Sequence, residues 1–110
     1  MLEVILSVAT NGRNPILFVP SNPAGKALPR GPLAIVANGR ALVAMVAKIA
    51  INKAVEPEGS LNVLPGVLRG WFGEDAGKPG RRERVRLRQV GQHVLMEPVT
   101  PSLDTVCEAA

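Results

Sequence analysis

The residues in this chain whose type and spacing could do chemistry are arginines. From Arg81 to Arg88 the sequence reads RRERVRLR, so Arg84, Arg86 and Arg88 alternate with Val85 and Leu87. In a strand, alternate side chains point to opposite faces. Such a strand would hold three guanidinium groups about 7 Å apart on one face and the aliphatic residues on the other. That spacing is comparable with neighbouring phosphates along one DNA strand, and guanidinium pairs bidentately with a phosphate or a guanine edge. Arg81 and Arg82 extend the row into the preceding loop, and Arg69 and Lys78 lie just upstream. Between Arg69 and Arg88 there are seven basic residues against three acidic ones (Glu74, Asp75, Glu83), while the remainder has six of each. This count predicts one basic patch facing a polyanion. Arg13, Lys26 and Arg30, on turns and loops, are further candidates for groove or base contact.

Other chemistries lack their residues. The carboxylates are scattered along the chain, with no Asp…Glu-x-Lys arrangement to hold nuclease metal ions. His93, the only histidine, has neither a set of fellow ligands nor a nucleophile to serve. The loop holding Gly73, Gly77 and Gly80 lacks the spacing of a Walker A motif and its closing Lys-Ser/Thr pair. No catalytic residue, metal or cofactor is therefore expected. A single cysteine, Cys107, excludes an internal disulfide and fits a reducing compartment. The first residues carry no basic region ahead of an apolar one, and no apolar run has the length of a membrane span. A cytoplasmic protein without membrane contact is the expectation. With no Tyr, two Phe and one Trp there is no stacking platform for single-stranded bases, which favours duplex DNA over RNA. Two other function classes stay open: a small nuclease or the recognition part of one, and an interaction barrel meeting an acidic partner.

The elements that must position these residues are short strands. Hydrophobic residues make up 46% of the 110 residues but aromatics only 3%, so the core must be packed from Val, Leu, Ile and Ala. Eleven Gly and ten Pro favour strands and turns over long helices. The chain reads as mainly β with one or two short helices, a single barrel-like domain over residues 1–100 and a C-terminal tail over 101–110. Leu2–Ala9 and Ile16–Val19 read as strands about an Asn11-Gly12 turn, and Ser21–Pro32, rich in proline, as an exposed loop. Leu33–Ala37 and Arg40–Val43 flank Asn38-Gly39, the signature of a type I′ hairpin. Ala41–Val55 admits a helix, but the preceding turn favours a strand with Val43, Met45, Ala47, Ile49 and Ile51 on one face. Pro65 to Phe72 has Leu64, Val67, Leu68, Trp71 and Phe72 at helical spacing, with Trp71 expected as a core side chain. Arg84–Arg88 and His93–Val99 close the chain as a hairpin about Gly91.

The run Val63-Leu64-Pro65, Leu68-Arg69, Trp71-Phe72-Gly73, Val85-x-Leu87 and Val94-Leu95-Met96-Glu97-Pro98 resembles the closing half of a cradle-loop barrel unit. It is similar in order to AbrB-type bacterial transition-state regulators, and in layout to the DNA-binding pseudobarrel of plant auxin-response regulators and some bacterial restriction endonucleases. The resemblance covers about 39 of the 110 residues. AbrB-type chains carry Gly-Asp before the penultimate strand, where this chain has Gly80-Arg81, and they are about half as long and fold as intertwined dimers. The additional strands from Leu2 to Val55 favour the pseudobarrel version, completed within one chain, with a homodimer as an option. The resemblance implies that loops and strands on one concave face grip the major groove of DNA.

Overall fold

Alternating apolar residues build the wall of a barrel. In the computed structural model, which describes residues 2–99, seven strands close on themselves in the order β1-β2-β5-β4-β3-β7-β6. They are β1 (Glu3–Asn11), β2 (Asn14–Phe18), β3 (Gly31–Ala37), β4 (Arg40–Val46), β5 (Ala50–Val55), β6 (Arg84–Val90) and β7 (His93–Val99). Two short helices accompany them, α1 (Pro23–Ala27) and α2 (Leu64–Phe72). The β3–β7 pair is parallel and the other neighbours are antiparallel. The expected tail from 101 to 110, including Cys107, lies outside the described residues.

The interior is aliphatic: Val4, Leu6 and Val8 of β1 meet Leu17, Ile35, Leu42, Ile51, Val85, Leu87 and Met96. Each such side chain contributes about 1.5–3 kcal/mol when removed from water. Two of the closing seams are short: β2 pairs with β5 only at Leu17 and Phe18, and β3 with β7 only at Val36 and Ala37.

Strand directions give the barrel two distinct ends. At the upper end lie the β1–β2 turn, the β3–β4 turn, α2 and the loop from 73 to 83. At the lower end lie α1, the β4–β5 turn and the β6–β7 turn. Helix α2 plugs the upper end with Leu64, Val67 and Leu68 buried. Pro65 sits in its first turn, where a missing N–H costs nothing. Gly73 ends it at φ 91°, a conformation that favours glycine, and its N–H donates to the Arg69 carbonyl at 2.8 Å. Trp71 is only half-buried; its Nε1 donates to Asn38 Oδ1 at 2.9 Å, tying the helix to the β3–β4 turn. It packs against the core as expected, but from the barrel rim, where it also acts as a latch.

Two expectations are corrected. Ser21–Pro32 is not all loop, because α1 forms within it. Asn22 Oδ1 accepts from the Gly25 N–H at 2.8 Å, and Pro23 occupies the first turn. A Cβ at Gly25 would lie 1.8 Å from the Pro20 carbonyl oxygen, so only glycine lets the chain fold back that closely. Ala41–Val55 is strand, as favoured, but it is two strands, and β4 has the opposite face inward, while Ile51 of β5 is buried as expected. Asn38 and Gly39 (φ 54° and 75°) form a two-residue turn that sets Ile35 opposite Leu42. With Ile35 inside, Leu42, Ala44 and Val46 must also be inside. A register shift follows between Met45 and Val46, residues 47–49 turn, and Met45 and Ile49 are left exposed.

Candidate nucleic-acid interface

Strand β6 has the expected alternation. Val85 and Leu87 are fully buried in the barrel, while Arg84, Arg86 and Arg88 lie on its outer face. The pairing register decides what each arginine meets. On β1, Arg84 lies opposite Ser7, Arg86 opposite Ile5 and Arg88 opposite Glu3. On β7, the corresponding partners are Val99, Glu97 and Leu95.

Glu97 takes up two of the three guanidinium groups. Its Oε2 accepts from Arg86 Nε at 3.0 Å and lies 2.8 Å from Arg86 Nη2. Glu3 adds a second carboxylate, 3.7 Å from Arg86 Nη1. Arg88 Nη2 reaches Glu97 Oε1 at 3.5 Å, and its buried Nε lies 3.3 Å from Oε2 but outside hydrogen-bond geometry. Partial burial pushes the Glu97 carboxyl up, but hydrogen bonds from Arg86 and Arg88, reinforced by their charges, outweigh it and hold the group below its ordinary range. Two arginines and two glutamates thus form a neutral cluster across β1, β6 and β7. The expectation of one continuous basic patch is corrected here, because a third of the way down the strand its charge is already compensated.

The upper loop is also largely paired. Arg81 is bound to Glu83 and donates through Nη2 to the Phe72 carbonyl at 2.7 Å. Glu83 in turn accepts the Gly77 N–H at 2.8 Å. Gly77 has φ 82°, and a Cβ there would stand 2.4 Å from the Ala9 carbonyl oxygen, so the loop closes on β1 only with glycine. Lys78 lies 2.9 Å from Asp75, whose carboxyl is held below its ordinary value by that hydrogen bond and by the Lys78 charge. Arg69 lies 3.9 Å from Glu74 and donates through Nη2 to the Arg13 carbonyl at 2.7 Å, bracing the β1–β2 turn.

Three of the expected residues at this end, Arg13, Arg82 and Arg84, are exposed and form no salt bridge with any described residue. Arg82 and Arg84 line an open hollow of about 580 Å³ together with Ser7, Val8, Arg81 and Glu83. Glu83 is taken up by Arg81, so two guanidinium groups with no carboxylate partner among the described residues, beside a serine hydroxyl, are equipped to take an anionic oxygen group.

Lys26 and Arg30 are not part of this cluster. They lie at the lower end, separated from Arg13 by the length of β2. Arg30 donates to the carbonyls of Gly25, Leu28 and Lys48 and so pins α1 to the β4–β5 turn. Lys48 and Lys53, which the window count overlooks, are also exposed and without a salt bridge to the described residues. The signal was present in the sequence: between Glu3 and Glu56 there are six cations and no carboxylate.

His93 is exposed at the β6–β7 turn. Among the described residues no three His, Cys, Asp or Glu side chains gather into a metal-binding group, and no helix is long and apolar enough to cross a membrane. No protein-family model, curated protein or solved structure matches the chain.

Proposed function

We propose that the barrel is a double-stranded DNA-binding module whose first phosphate contacts are made by Arg82 and Arg84, with Arg13 as a flanking contact. One observation carries the reading: where most neighbouring cations are compensated, Arg82 in the loop and Arg84 on the strand form no salt bridge with a described residue and line one open hollow with Ser7, and the one carboxylate of that hollow, Glu83, is bound to Arg81. Arg81, fixed by Glu83 and the Phe72 carbonyl, holds the loop so that Arg82 leads into the strand. The resemblance to the DNA-binding pseudobarrels of auxin-response regulators and restriction endonucleases supports the same class. So does the scarcity of aromatic residues, which leaves little for stacking unpaired bases.

Phosphate contacts release counterions, so affinity falls with salt, with a slope of about −0.9 per contact on logarithmic axes. Three contacts give a slope near −2.7. Fluorescence anisotropy of a labelled duplex at two salt concentrations measures it. Binding weaker than about 1 mM at low salt, against the usual nonspecific range of roughly 10⁻⁴–10⁻⁶ M, would remove the proposal.

A further inference from the structure

We infer that this chain associates with further copies of itself head to tail, the β4–β5 turn of one copy seating in the hollow beside α2 of the next. This rests on surfaces distinct from the Arg82–Arg84 hollow and does not depend on the DNA reading.

Among the described residues the two most exposed large apolar side chains are Ile49, 64% accessible, and Leu61, 77%; the next is Phe18 at 44%. They stand just beyond the two ends of β5, one at each end of the barrel. A pair of apolar groups so placed cannot meet within one molecule, but can meet between two.

The turn carrying Ile49 is a rigid, cationic tip. The Ile49 carbonyl accepts the Val19 N–H at 2.8 Å, the Ala47 N–H donates to the Ala50 carbonyl at 2.8 Å, and Arg30 Nη2 donates to the Lys48 carbonyl at 2.9 Å. Arg30 also bonds to Gly25, beside Lys26, at 3.2 Å. The exposed Ile49 thus belongs to an end of the barrel that also carries Lys26, Arg30 and Lys48, none of which forms a salt bridge with a described residue.

Past the other end of β5, one turn carries two carboxylates. Glu56 and Glu58 are both exposed on a turn closed by the Gly59 N–H bond to the Glu56 carbonyl at 2.8 Å. Glu56 shares its charge with Arg40 at 3.4 Å, and Glu58 forms no salt bridge with a described residue. Next to this turn lies an open hollow of about 400 Å³ whose lining joins Leu61, Val63, Gly66, Val67 and Gly70 to Asn38, Asn62 and Arg40, the last paired with Glu56. Gly66 and Gly70 leave its floor bare, which makes room for a branched side chain. An isoleucine entering the hollow would bring Lys48 towards Glu58.

The two surfaces differ, so the contact is heterologous and each copy can engage two neighbours. A tip in a hollow lies below the roughly 1,200 Å² of a standard interface, so association should depend on concentration and weaken with salt.

Sedimentation velocity of the full chain from micromolar to millimolar concentration tests this. The wild type should show a rising sedimentation coefficient at low salt. Ile49→Asp loses the tip and Leu61→Asp loses the hollow, so each alone should stay monomeric. Both positions are exposed, so both variants should keep the wild-type circular dichroism. An equimolar mixture of the two retains one intact tip and one intact hollow, and should form dimers and nothing larger. Lys48→Glu should weaken wild-type association a few-fold, the scale of an exposed ion pair, and mixing it with Glu58→Lys should recover part of the loss. A wild type that stays monomeric throughout would overturn the inference, as would a monomeric mixture or an Ile49→Asp variant that still associates.

Discussion

Arg84 and Arg86 stand two residues apart on the same outward face of one strand, and the field around them differs because of what lies across the sheet. Arg86 faces Glu97 on β7 and reaches Glu3 on β1; Arg84 faces Val99 and Ser7. The first is part of a neutral cluster and the second is open to an incoming anion. Strand periodicity assigns a side chain to a face, whereas cross-strand register assigns its partners. The pairing of Arg86 is not a permanent lock. Partly exposed ion pairs are worth about 0–1 kcal/mol, so a polyanion could compete for it, but Arg84 needs no such exchange.

The largest effect comes from breaking the frame both arginines share. Leu87 lies between them and Arg88 on the inner face and is fully buried. Leu87→Ala should cost about 2–5 kcal/mol in urea unfolding, with affected packing on both sides of β6. A loss under about 1 kcal/mol would mean that the barrel relaxes around the strand and does not hold the arginine row rigid.

Next in size is the contrast itself. Arg82→Gln with Arg84→Gln should lower duplex affinity and reduce the salt slope by about 1.8, two phosphate contacts' worth. Arg86→Gln and Arg88→Gln, made together with Glu97→Gln so that no Glu97 carboxylate is left uncompensated, should change the slope far less. Anisotropy titrations at several salt concentrations separate the two. Equal losses from both sets would show that Glu97 gives up its arginines to DNA and that the distinction between the two halves of the strand does not govern binding.

Much of this barrel is legible from local chemistry. Asn38-Gly39 fixes a hairpin, Pro65 and Gly73 bracket α2, and the alternation of Arg84 to Arg88 gives a strand with the correct face outward. Helix α1 is hidden because its proline and glycine, between Pro20 and Pro29, look like loop, although Asn22 and Pro23 supply an N-terminal cap and a first turn. The reversed face of β4 follows from the two-residue turn before it, a constraint stronger than the apolar spacing of Val43, Met45 and Ala47. The pairing of the arginines is the least local feature. Glu3 and Arg86 are separated by most of the chain, and only closure of β1 on β6 makes them neighbours. Counting charge by window of sequence cannot see this, and for the same reason it misses the gathering of Lys26, Arg30 and Lys48 at the lower end.

The smallest expected effect concerns the proton that Glu97 resists. Its carboxyl is held below the ordinary value of about 4.5 in the folded protein, because bonds from Arg86 and Arg88 outweigh the cost of burial. A depressed folded-state value means that the stabilisation is fully present above the unfolded value. It is then lost as pH falls through the folded one. Urea midpoints measured at pH 7, 5, 4 and 3 should therefore fall more steeply below pH 5 in the wild type than in Glu97→Gln, which has no proton to take up there. Asp75 is also lowered, through Lys78, but that pair lies on the exposed loop. Moderate salt should screen its share more than that of Glu97, whose side chain is 29% accessible against 59% for Asp75. An acid limb that Glu97→Gln leaves unchanged, and that salt removes, would assign the acid sensitivity to the upper loop. Arg86 would then be as free as Arg84, and the difference between them would lie in position alone.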